Sequence, residues 1–140
     1  MMQDKRLLDP EDAHTLGNEL LDYQHGNIIK FLNRLHADTL KSTYNSEQAI
    51  LDMDFLESFT AYHIKTEERM MCVRQDVSFD AHLTDHREFL VVLMDAKEEL
   101  AAGKKLKENF FKEFEEKLLV HFELHDEEMI EKVIKEREIA

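Results

Sequence analysis

The residues best suited to chemistry here are histidines, eight of them in 140 residues. His63 and Glu67 are four apart, as are His82 and His86. In an α-helix each such pair projects from one face, about 6 Å apart along the axis. His25 falls between Leu21 and Ile28, and His121 follows Leu118 and precedes His125 and Asp126. Buried imidazoles and carboxylates without partners cost several kcal/mol together, about 2 kcal/mol or more for each group. Mutual hydrogen bonds or a bound metal must therefore satisfy them. Taken singly these signals are weak, since a lone histidine on an apolar stripe is more commonly a hydrogen-bonded core residue. HxxxE is commonplace in a Glu-rich helical chain. Their co-occurrence on four successive segments is the informative feature, because five histidines and two carboxylates are enough for two metals at one site.

Four helical patterns must position these groups. The first runs from about Glu11 to Leu40, after a short arm with Leu7, Leu8 and Pro10; its stripe is Leu21, Ile28, Ile29, Leu32 and Leu35. The Lys41–Asn45 segment breaks it, and Asn45 or Ser46 is a suitable N-cap for the next helix. The second, roughly Glu47 to Val73, carries Met53, Leu56, Phe59, Thr60, His63, Glu67 and Met70 on one broad face. The third runs from about Asp80 to Ala102 with Phe89, Leu90, Leu93 and Leu100 inward, and Gly103 suits its stop. The fourth starts near Leu106 and aligns Phe110, Phe111, Phe114, Leu118 and His121. Four comparable helices joined by short loops predict an all-α, antiparallel up-down-up-down four-helix bundle. The expectation is one domain over 1–140, with an N-terminal arm over 1–13 and the bundle over about 14–136.

Composition narrows the function classes. With 43% hydrophobic and 35% charged residues, three glycines and one proline, the chain has the makings of a folded helical domain and little turn chemistry for strands. A formal charge of −13 repels phosphate backbones and anionic lipid, so neither nucleic acid nor a membrane surface is an expected partner. The longest apolar run, Phe89 to Met94, is far short of the roughly 20 residues of a membrane helix. Lone Cys72 cannot form an intramolecular disulfide, and the first residues hold no apolar signal core. The expected location is the cytoplasm.

The order His25, then His63-Ile-Lys-Thr-Glu67, then His82-Leu-Thr-Asp-His86, then His121-Phe-Glu-Leu-His-Asp126 resembles the hemerythrin family. That family places one His, HxxxE, HxxxH and HxxxxD on successive helices. The Asp22-Tyr-Gln-His25 and His63-Ile-Lys-Thr-Glu67-Glu68-Arg-Met70-Met71 segments resemble its bacterial branch, and the similarity extends from about Gly17 to Met129. The resemblance implies a non-haem centre of two iron ions with an oxo or hydroxo bridge. His82, His86 and His121 would hold one iron, His25 and His63 the other, with Glu67 and Asp126 bridging. Helical geometry alone favours His125 over Asp126, because five residues turn about 140° around a regular helix. Only the resemblance selects Asp126, with His125 as the fallback. Glu67 is preferred to Glu68, which is expected to be solvated or to support a ligand.

The resemblance further implies a protein that binds dioxygen reversibly, for storage, delivery or sensing, and is not an enzyme. Nitric oxide or small anions such as azide would suit the same open position. The alternatives are a di-iron redox enzyme handling peroxide or nitric oxide, an iron-donating repair protein, and a metal-free helical interaction module. A monomer or small homo-oligomer fits equally. Expected pocket walls are Ile28, Ile29, Phe59, Ile64, Phe89, Leu118 and Phe122, which double as bundle core. The chain lacks the tryptophans of many relatives; Lys117 stands four residues before His121 and could reach outward to leave the pocket open. His14 and His36 lie 11 residues either side of His25, about 16 Å along the axis, too far to share its metal. His14 is expected in the opening turn, and His36 partly buried or on the surface. Met53, Met70, Met71 and Cys72 are expected to pack rather than ligate, and the Glu/Lys run after Asp126 to be a solvated helix face.

Overall fold

The structure, a computed structural model, describes residues 19–74 and 79–121. His14, Phe122, His125, Asp126, the N-terminal arm and the charged C-terminal run lie outside the described residues, as do the side chains of Met71 and Cys72. Four helices follow one another: α1 (Glu19–Leu40), α2 (Ser46–Arg74), α3 (Phe79–Ala101) and α4 (Glu108–Val120). No described residue is in a strand.

Local chemistry sets the boundaries. The Asn45 side-chain oxygen accepts from the backbone N–H of Gln48 at 3.1 Å, which makes Asn45 the cap of α2. Gly103 has φ 79°, a left-handed conformation that favours glycine. There its N–H donates to Leu100 O and that of Lys104 to Glu99 O, each at 3.0 Å, closing α3 with a paired C-terminal motif. The helix α4 begins later than the expected start near Leu106. Lys107 is extended (φ −87°, ψ 157°), while Leu106 is buried in the loop as a plug on the core.

The cross-helix contacts fix the directions. At one end, His63 and Thr66 near the end of α2 meet Gln24 near the start of α1. At the other, Lys97 late in α3 pairs with Glu57 in the first half of α2 at 3.0 Å. His121, at the end of α4, meets Asp85 near the start of α3. Glu108 opens α4 against His36 near the end of α1. Every neighbouring pair therefore runs antiparallel, and the ring of four closes as an up-down-up-down bundle.

The inward stripes read from the sequence are the core. Leu21, Ile28, Ile29, Leu32 and Leu35 of α1 are buried, the last four in one cluster with Met53, Leu56, Leu93, Leu100, Phe111, Phe114 and Leu118. Phe59, Leu90 and Phe110 are partly buried at its margin. His36 differs from expectation. It is buried, its Nε2 lies 3.0 and 3.1 Å from the two Glu108 oxygens, and its ring packs 4.7 Å from Phe111. It is a tie between α1 and α4 rather than a surface residue.

Candidate metal centre

The antiparallel arrangement gathers the start of α1, the end of α2, the start of α3 and the end of α4 at one end of the bundle. Gln24, His25, His63, Glu67, His82, His86 and His121 all sit there, each no more than 3% exposed. A core this polar forms only because successive helical turns below it supply the apolar packing. Phe89 presents its ring edge-on to His121 at 5.4 Å and to Phe114 at 5.6 Å, sealing the centre from beneath.

Glu67 is the hub. Its Oε1 meets His63 Nε2 and lies 3.2 Å from His121 Nε2; its Oε2 lies 3.0 Å from His86 Nε2. His25 Nε2 is 3.2 Å from His63 Nε2. Two groups of ligand atoms result, each with all its atoms within 4.8 Å of one another: His25, His63 and Glu67, and Glu67, His86 and His121. Among the described residues, Glu67 is the one carboxylate in these groups, and it belongs to both.

The outward ring nitrogens have their own partners. His63 Nδ1 donates to Gln24 Oε1 at 2.9 Å, and Gln24 Nε2 donates to Thr66 Oγ1 at 2.9 Å, whose hydroxyl in turn donates to Tyr62 O. Because the Thr66 proton is committed to Tyr62, the Gln24 amide is oriented and His63 carries its proton on Nδ1. His86 Nδ1 lies 3.3 Å from Glu68 Oε1, and His121 Nδ1 lies 2.6 Å from Asp85 Oδ2. With these three Nδ1–H groups donated outward, the Nε2 lone pairs of His63, His86 and His121 face the Glu67 oxygens. Lone pairs facing lone pairs at about 3 Å are repulsive, and a cation among them converts that repulsion into coordination. The donor set therefore fits a metal centre.

Of the residues nominated from sequence, the structure brings His25, His63, Glu67, His86 and His121 into these two groups. His82 is equally buried and its ring lies 6.0 Å from that of His86 and 6.4 Å from that of His121, but it is in neither group. Glu68, 31% exposed at its side chain, supports His86. Lys117 reaches outward to Glu88 on α3, at 3.4 Å. Met53 is core, and Ile28, Ile29, Ile64, Phe89 and Leu118 are buried below the centre.

Gln24 and Asp85 received no role from sequence. Both stand beside a nominated histidine, in Gln24-His25 and Asp85-His86, yet each serves a histidine of a different helix. The available signal was an amide beside His25 on the inner face of α1.

A family model for the hemerythrin HHE cation-binding domain matches residues 16–133. The chain belongs to the hemerythrin family. Among solved structures, wild-type hemerythrin superposes with a TM-score of 0.70 at 24% identity, covering 78% of this chain and 83% of that one. A leucine-to-tyrosine mutant of hemerythrin gives 0.74 at 21% identity, covering 87% and 93%. No curated protein sequence matches. At these identities the neighbours establish the hemerythrin fold, and the cation-binding description of the family agrees with the buried His/Glu cluster found here.

Proposed function

We propose that this hemerythrin-family domain holds two iron ions and binds dioxygen reversibly. The observation that carries this reading is the pair of buried ligand groups sharing Glu67, which supports two cations close enough to be bridged by one carboxylate. His25 and His63 would hold one ion, and His86 and His121, with nearby His82, the other. Asp126 remains the proposed second bridge. Ferrous iron, when bound, supplies the electrons and the open position that a diatomic ligand needs.

The chain's own residues do the rest. Glu67 offsets cationic charge in a core that water does not reach, and the partners of the outward ring nitrogens hold three imidazoles at fixed angles. Phe89, Ile64 and Leu118 keep the approach from below apolar, which favours a small neutral ligand over anions and water. Binding without turnover, and a place in the cytoplasm with its reduced thiols, complete the reading.

The test is an anaerobic-to-aerobic optical titration of the iron-loaded protein, with iron counted per chain. Two irons and an oxygen-dependent visible band that vanishes under vacuum are expected. Immediate irreversible oxidation would replace this reading with that of a redox enzyme, and no iron after reductive loading would end it.

A further inference from the structure

The two ligand groups share Glu67 but not their surroundings. On the side of His86 and His121, both outward nitrogens face carboxylates: Glu68 Oε1 at 3.3 Å and Asp85 Oδ2 at 2.6 Å. On the side of His25 and His63, the partner of His63 is the neutral Gln24 amide at 2.9 Å, itself fixed by Thr66. The 2.6 Å contact is short, as charge-assisted hydrogen bonds are. An imidazole that donates its Nδ1–H to a carboxylate is a stronger donor at Nε2 than one that donates to an amide. The carboxylate also adds negative charge close to the bound cation, and removing such partners typically weakens metal binding about 10- to 100-fold.

We infer that Asp85 and Glu68, set against Gln24, make the two metal positions unequal, so that a divalent cation fills the His86/His121 position first and the His25/His63 position second. These three are positioning residues, since each acts through a histidine. The inference rests on the two-metal reading above and adds an order of filling to it. It also accounts for why α3 and α4 need Asp85 at all: it lies one residue from His86 yet serves His121, linking the helices through the ligand itself.

Cobalt(II) titration of the metal-free full-length chain tests this, followed by calorimetry and by the visible ligand-field bands. The wild-type chain is expected to take two equivalents in resolved steps. Asp85→Asn and Glu68→Gln should each weaken the first step about 10- to 100-fold while leaving the second in place. Gln24→Met should weaken only the second, and His25→Gln should retain the tight equivalent and lose the weak one. Melting of the metal-free variants close to wild type identifies the effect as one on the metal rather than on folding. Equal shifts in both steps, no shift in either, or loss of the tight equivalent in His25→Gln would overturn the inference while leaving a two-metal centre standing. A wild-type chain that takes fewer than two equivalents would instead bring down the two-metal reading on which it depends.

Discussion

Glu67 is the residue on which both ligand groups depend, and its replacement has a different signature from that of any histidine. Glu67→Gln keeps the volume and removes the one charge that both described ligand groups share. Stable loading of both ions should be lost together, as read by metal analysis after gel filtration; retention of one ion would show that the carboxylate serves a single position. At the far end of the bundle a second pair of polar side chains is buried, with the opposite requirement. Asp38 and Asp52 are 4% and 3% exposed, and the Asp38 carboxyl is pushed up to about 6 by burial, by a hydrogen bond with Asp52 and by that neighbour's charge, against the opposing pull of Lys41. Tyr44, facing the same carboxyl, is raised as well, by burial first and then by Asp38. A carboxyl raised on folding holds its proton more tightly in the folded chain. Its stabilisation is complete below the ordinary value of 3.8 and is lost as pH rises through about 6. Asp52→Asn removes the repulsion and offers a donor, so it should raise stability at neutral pH by about 1–3 kcal/mol. The difference between variant and wild type should shrink as pH falls from 7 to 4 in denaturant titrations of the iron-loaded proteins.

The elements themselves are held by unequal devices. The cap from Asn45 starts α2 and the left-handed Gly103 ends α3, both without help from the metal. Asn45→Ala should cost about 1 kcal/mol, and Gly103→Ala about 1 kcal/mol for the forced positive φ. Both are measurable by chemical denaturation with metal loading unchanged. The apolar stripes of α1 and α3 were readable because Leu, Ile and Phe at three- and four-residue steps leave one solution for the inner face. The start of α4 was not, because Leu106 continues the apolar pattern into a loop where only backbone geometry distinguishes it. Likewise, HxxxE and HxxxH spacing nominated His63, Glu67, His82 and His86, since i,i+4 is a property of one helix. Gln24 and Asp85 act across helices, and no spacing along the chain encodes which neighbour a side chain meets. His36 escaped for the same reason, its partner Glu108 being 72 residues away.

At the scale of the whole molecule, the bundle carries a polar centre that its apolar core does not need for topology but must tolerate. Without a cation, the converging nitrogens and the Glu67 oxygens are left to repel one another. Chelation should therefore lower the melting temperature of the iron-loaded protein by about 10 °C, taking a few kcal/mol of linked binding energy over a domain of this size. Differential scanning calorimetry with and without chelator measures this, and an unchanged midpoint would count against a shared buried centre.

Up-down-up-down packing also places the His/Glu centre and the Asp38/Asp52 pair at opposite ends of the same two helices. The molecule thus has two poles that answer to different stresses, one to the loss of cations and the other to the loss of a proton. Amide hydrogen exchange, expressed as protection factors, should resolve them as separate opening units. Chelation should first deprotect the stretches around His25 and His63, and a rise from pH 5 to pH 7 those around Asp38 and Asp52. Leu32, Leu35 and Leu56, between the two, should be the last to exchange in either case.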